Sequence, residues 1–464
     1  MPRTKKTPPN LPDSGPFLTR EKAFYKTFLP LLMMISLQQL AAFAVNLADN
    51  VMLGRYTELA LSGATLVNQI QFILQQIAVG IGSGVAVLGS QYWGRGETDP
   101  IRRITGIGLK FALGLGLIFF CLTRFAPHAV LGLFTDDETV IAEGMRYLNI
   151  MCWTYIIFSL SNALMYSLQS VETAFIGTVM SVSTIIINII LNYCFIYGNF
   201  GLPELGIAGA GIATLTSRTV ELVIILVYVL FIDKKLKAGI RDLIGFDRSY
   251  LRDFVHAAMP VMISGLLWGI AQAAQTAVLG HMSAAVIAAN SIAVTIFQLF
   301  AVVGMSAANA ASVTIGKTVG AGDFHLVKQY TRTLQVLFLC FGLLAGVLIF
   351  LTKDFIVDFY NISEEAKALA RQFLTVMSVT AVGSCYEFPC EGGIIAGGGD
   401  PKYQAIMDNL FMWLFTIPSA VISAFVFGAS PLLVFCFLKA DQVIKCIPNG
   451  IVTNRYRWVR QLTR

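Results

Sequence analysis

Apolar runs long enough to cross a membrane recur along the chain, separated by short breaks rich in polar residues, Gly or Pro. About 20 such residues span a hydrocarbon core, and the pattern predicts twelve helices of that length. The first six fall near residues 27–53, 60–84, 104–123, 141–166, 173–198 and 207–232. The second six fall near 256–280, 286–311, 329–352, 369–396, 402–426 and 430–450. Between the sets lies the longest charged link, 233–255, carrying Asp233, Lys234, Lys235, Lys237, Arg241, Asp242, Asp247, Arg248 and Arg252. The expected fold is an all-α polytopic membrane protein with twelve transmembrane helices in two six-helix lobes, 27–232 and 256–450. Basic tails at 1–26 and 451–464 flank the lobes.

The two sets repeat one another. The stretch NLADNVMLGR…GSQYWGRGETDP, from Asn46 to Pro100, lies without a gap over AQAAQTAVLGHM…IGKTVGAGDFHL, from Ala271 to Leu326. Gly54 meets Gly280, Arg55 meets His281, Gly94 meets Gly320, Gly96 meets Gly322 and Glu97 meets Asp323. The constant offset, about 226 residues, is the mark of an internal duplication. One pair differs in charge: Asp49 in the first copy stands against Gln275 in the second. Two similar membrane halves with an unequal buried charge describe a transporter better than any other class of membrane protein.

Composition narrows the alternatives. The 464 residues are 56% hydrophobic and 13% charged, with a mean hydropathy of +0.70. A soluble chain of this length needs more charge to cover its surface, so the apolar excess faces lipid. The net charge of +6 is dispersed over short loops and forms no basic stripe with interleaved aromatics, which excludes nucleic acid as a partner. Nearly all of the eight cysteines (Cys121, Cys152, Cys194, Cys340, Cys385, Cys390, Cys436 and Cys446) lie in apolar runs, with no metal-ligand spacing, and read as core residues. The basic, Pro-containing start of the chain has no apolar run before a cleavage site and reads as a cytoplasmic tail. Lys and Arg concentrate on the side that holds both tails, the central link and the loops with Arg95, Arg102, Arg103, Lys317, Lys328, Arg332 and Lys402. The positive-inside rule then puts both termini in the cytoplasm of a plasma-membrane protein. Short loops leave no room for an inserted soluble domain, and no GxxxxGK[ST] phosphate loop occurs. The chain is expected not to be an enzyme; uphill transport would draw on an ion gradient.

Candidate chemistry lies in the polar residues within the spans. On the first helix, Gln38 and Asp49 point about 20° apart, with Asn46 within about 80°. A charge there needs water or a partner, and Asp49 reads as a protonatable or cation-binding group; the bland alternative is an interfacial aspartate near a helix end. Asn68, Gln71 and Gln75 share one face of the second helix, and Ser181, Thr184, Asn188 and Asn192 one face of the fifth. Such stripes either line a polar cavity or act as interhelical glue. Glu387 and Glu391 stand one turn apart on the tenth helix with Pro389 between them, placed to share a proton or a cation unless that helix end is wet. Arg218 and Glu221, three apart, most simply pair with each other. Asp408 and Asp441 are further acids within spans, with no role legible from spacing. The Met and Phe content, 15 and 33, suits an adaptable apolar cavity as well as plain packing.

NLADNVMLGR followed by the WGRGE loop resembles the multidrug and toxic compound extrusion (MATE) family. The resemblance continues through SLQSVETAFIGTVMSVSTIIINIILNYCFIYG, LGIAGAGIATLTSR and GGIIAGGGDPKYQ, and so covers the whole spanning region. It implies two six-helix lobes exporting organic cations or drugs in exchange for H+ or Na+. Asp49 matches the family's first-helix coupling aspartate, which would also be the group that holds Na+. Asn188 matches the asparagine of an Asn-x-x-x-Asp pattern, but Asn192 stands where that pattern has its aspartate.

The reading is therefore a cation-coupled antiporter, with no cofactor beyond the coupling ion. Its site residues are Asp49, Asn46, Gln38, Asn68, Asn188, Asn192, Glu387 and Glu391. Its partners are small organic cations or drugs and membrane lipid, and a monomer is the simplest expectation. A lipid-linked precursor flippase of the same superfamily is the alternative; it calls for a cationic central cavity, whereas the singled-out residues are acids and amides. A receptor or intramembrane enzyme has no His/Cys/Asp cluster or serine nucleophile motif to support it.

Overall fold

The computed structural model describes residues 18–245, 247–358, 360 and 362–463. Arg3, Lys5 and Lys6 of the expected N-terminal tail and Arg464 of the C-terminal one lie outside the described residues. The first half contains α1 (Lys22–Tyr56), α2 (Glu58–Gly94), α3 (Asp99–Phe125), the short α4 (Pro127–Leu131), α5 (Glu138–Ser170), α6 (Phe175–Tyr197) and α7 (Ile207–Val227). A short α8 (Ile240–Ile244) lies in the charged link. The second half contains α9 (Arg248–Gly280), α10 (Ala284–Ala321), α11 (Phe324–Asp358), α12 (Glu364–Phe388), α13 (Pro401–Phe411), α14 (Ile417–Val421), α15 (Pro431–Lys439), α16 (Asp441–Ile444) and α17 (Cys446–Arg455). No strand occurs among the described residues. π-Helical turns extend α7 (Tyr228–Ile232) and α12 (Pro389–Ile395), and join α13 to α14 (Met412–Thr416).

Ten helices among the described residues are long and apolar enough to cross a membrane. The spans expected near 369–396 and 430–450 are α12 with its π-helical turn, and the α15–α17 series. The first holds Glu387 and Glu391, and charge inside a span lowers its mean hydropathy; the second is broken into three short helices. The exposed face of α11, with Leu343, Leu344, Val347 and Leu351, is apolar, while Gln329, Thr331, Thr333 and Gln335 are buried. That inversion is what lipid as solvent demands.

The duplication is visible in the backbone. α1, α2, α5 and α6 begin at Lys22, Glu58, Glu138 and Phe175; α9, α10, α12 and α13 begin 226 residues further on, at Arg248, Ala284, Glu364 and Pro401. The caps repeat as well. Thr57 Oγ1 accepts the Ala60 N–H at 3.0 Å, and its counterpart Ser283 Oγ accepts that of Val286 at 3.2 Å. Asp137 accepts from Thr139 N–H at 2.9 Å, and Ser363 from Ala366 N–H at 3.3 Å. Each supplies an acceptor to an otherwise unpaired first-turn donor. Gly96 and Gly322 follow α2 and α10 with φ of 74° and 80°, a left-handed geometry that favours glycine.

The chain divides into two compact units: Leu37–Gly89 with Gly96–Met262, and the remainder up to Ser36, with Ser90–Arg95 and Ile263–Arg464. In the second of these, Phe373 and Phe435 stack at 4.0 Å within a core that includes Val286, Ile292, Ile349 and Leu374. The last residues of that unit do not trail free. Trp458 is buried and donates Nε1–H to the Thr453 carbonyl at 2.9 Å, and Arg460 pairs with Asp400 at 2.7 Å. Gly398 has no side chain because the Trp458 ring occupies that space.

Candidate functional site

α1 brings Asp49 against α6, whose inward stripe carries Thr184, Asn188 and Asn192, all buried. Asn192 donates one Nδ2 hydrogen to Asp49 Oδ1 at 2.5 Å and the other to Asn188 Oδ1 at 3.1 Å. Asn188 donates to Thr214 Oγ1 on α7 at 3.3 Å. Donation diverges from Asn192, one way to the Asp49 carboxylate, only 7% exposed, and the other way through Asn188 to Thr214. Asn192 Oδ1 and Thr184 Oγ1 are buried and accept or donate nothing. An acid beside an unsatisfied amide oxygen can take a proton or an oxygen-seeking cation. Arg218 pairs with Glu221 at 2.8 Å and lies over the Phe158 ring at 5.2 Å, the structural role its spacing predicts.

Not every singled-out residue joins this group. Gln38 is buried, but it donates to the Ala174 carbonyl at 2.9 Å and accepts from Gln169 at 3.3 Å, fastening α1 to the α5–α6 connection. It shares a helix face with Asp49, yet eleven residues of rise, about 16 Å, separate the two. Asn46 is exposed and Asn68 half-buried on α2. The duplicate of Asp49, Gln275, is buried and donates to Met412 Sδ at 3.1 Å.

Glu387 and Glu391 are buried too, so the wet-helix alternative does not hold for them. Pro389 has no N–H for the Cys385 carbonyl, and the helix widens into the Pro389–Ile395 π-helical turn at that point. The cation they share is internal. Lys445 Nζ, on the segment between α16 and α17, lies 2.9 Å from Asp408, 3.2 Å from Glu387, 3.7 Å from Glu391 and 3.9 Å from Asp441. Asn449 donates to Glu391 Oε2 at 3.0 Å and accepts from the Tyr403 hydroxyl at 2.8 Å. Sequence reasoning singled out the acids but passed over Lys445, Asn449, Tyr403, Thr214 and the link between the acids. A signal was present: Asp441, Lys445 and Asn449 form a stripe at i, i+4 and i+8 on the last span.

Duplicated six-helix halves, each with polar groups buried inside the membrane region, define the chain as a polytopic membrane transporter. A family model for MatE matches it twice, at residues 35–194 and 260–422, once in each half. The chain belongs to the MATE family. Among curated relatives, a probable multidrug resistance protein NorM from Streptococcus pneumoniae is 26% identical over 450 residues, covering 95% of each chain. Its namesake in Listeria innocua is 24% identical, covering 85% of this chain and 87% of its own. A point mutant of the Vibrio cholerae MATE transporter VcmN superposes with a TM-score of 0.85 at 17% identity, covering 93% of this chain and 97% of its own. A MOP superfamily transporter from Pyrococcus furiosus, described by the reverse polarity of its binding pocket, superposes with a TM-score of 0.84 at 18% identity over 95% of this chain and 98% of its own. These superpositions establish the twelve-helix, two-lobe fold.

Proposed function

We propose that this protein exports organic cations or drugs from the cytoplasm by alternating access, in exchange for H+ or Na+, from a plasma membrane with both termini inside. The observation that carries the reading is the Asp49 carboxylate held by Asn192, with the amide oxygen of that same residue left unpaired. While ionised, Asp49 accepts a hydrogen bond from the Asn192 amide N–H. Once protonated it becomes a donor at that oxygen, and Asn192 must turn its own oxygen toward it or lose the bond. Cation occupancy is thereby linked to the α1–α6 contact and, through Asn188 and Thr214, to α7. A bound Na+ would draw on the same carboxylate and on Asn192 Oδ1. The curated relatives' description as multidrug resistance proteins supports a drug-like substrate.

The test is ethidium efflux from proteoliposomes under an imposed pH or Na+ gradient. Asp49→Asn is expected to abolish gradient-driven export while the purified protein keeps its wild-type melting behaviour. Full export by that variant would overturn the assignment.

A further inference from the structure

The four-acid cage of the second half is built around an amine, and the amine it holds is its own. Four carboxyl groups face one ammonium in a buried place, more acceptors than a single amine can satisfy. The fit is loose. Only Asp408, the least buried of the four acids, lies within the 2.7–2.9 Å of a tight charge-assisted bond. The deepest acid, Glu391, is fully buried, and its Oε1, aimed at Nζ across 3.7 Å, accepts no hydrogen bond. Glu387, Glu391 and Asp408 each offer an oxygen within 4.8 Å of the others, and the Lys445 ammonium already stands among them. No second cation fits there without moving it.

We propose that this cage is a binding site for the primary ammonium group of an exported amine, and that Lys445 is a tethered competitor which the ligand displaces. Glu391 and Glu387 hold the incoming ammonium, Asn449 orients Glu391 through its other oxygen, and Asp408 receives the displaced lysine. This deepens the export reading by naming a substrate class; the binding itself requires no coupling at Asp49.

Dansylcadaverine, a fluorescent primary amine, is titrated into the full-length protein in micelles with no ion gradient, so failed coupling at Asp49 leaves the result untouched. Lys445→Met is expected to bind it about tenfold more tightly than the wild type, a change of about 1.4 kcal/mol. Adding Glu391→Gln is expected to abolish that gain, and dansylamide, which lacks the free amine, is expected to show none. Equal affinity for wild type and Lys445→Met, a gain that survives Glu391→Gln, or a parallel gain with dansylamide would each overturn the proposal. Should Lys445→Met fail to fold, Glu391→Gln alone decides: about tenfold weaker binding than wild type supports the site, and undiminished binding refutes it.

Discussion

Asn192 commits both of its amide hydrogens, one to Asp49 and one to Asn188. Replacing it with leucine takes a donor from each of two buried oxygens, at a cost of about 1–3 kcal/mol. Thermal melts in detergent should show that loss, and gradient-driven efflux should fall further than the lost stability explains. Outside the spans, Asp247 accepts the Ser249 N–H at 2.8 Å and pairs with Arg103 at 2.6 Å. The Ser249 hydroxyl and N–H, followed by the Arg103 guanidinium, draw its carboxyl down to about 2 from an ordinary 3.8. A depressed carboxylate stabilises the fold fully above its unfolded value and stops doing so as pH falls through the folded one. The melting advantage of wild type over Asp247→Asn should therefore be constant above about pH 5 and vanish toward pH 2, as melts at stepped pH would show. Asp49 was legible in the sequence because a charge in an apolar run stands out. Its partners were legible only as a stripe, since spacing does not say which neighbouring helix a stripe faces.

Helices were readable because lipid imposes a length and the duplication states each element twice. Gln38 shows the limit: a shared helix face fixes direction but not depth, and its bonds lie at the other end of α1. The π-helical turn at Pro389 was half legible, since proline announces a missing N–H but not how the backbone relaxes. The duplication also builds one contact twice. A Cβ on Gly94, at the end of α2, would overlap the Lys317 carbonyl oxygen of α10; a Cβ on Gly320 would overlap that of Gln91. Gln91 and Lys317 are themselves repeat partners, so the crossing is self-complementary, as in a two-fold dimer. Small residues allow such approach of helix backbones. Gly94→Ala and Gly320→Ala should each destabilise by about 1–3 kcal/mol through overpacking. Melting curves should show similar losses for the two, and the double variant should lose less than the sum because both strain one crossing.

For the molecule as a whole, duplication explains the scaffold but not the chemistry, which the halves have divided between them. The first half places its acid on its first helix, facing Asn188 and Asn192. The positions 226 residues on hold Gln275, Leu414 and Pro418, and no such network is possible there. The second half instead gathers its acids on α12, α13 and α16, around a lysine with no basic counterpart at Thr219 of the first half. If location in the repeat alone made a coupling site, an aspartate at 275 would create one. The bonding around it argues otherwise: Gln275 has the Met412 thioether for company, which cannot donate to a carboxylate. Gln275→Asp should thus destabilise the fold, by less than the roughly 2.5–3.5 kcal/mol of an unpaired acid at a helix centre because position 275 lies near the end of α9. In an Asp49→Asn background it should leave efflux at the level of Asp49→Asn alone. Melting curves measure the first effect and proteoliposome efflux the second. Restored export by the double variant would show that the halves are interchangeable, and that the asparagine chain beside Asp49 is not what makes that aspartate a coupling group.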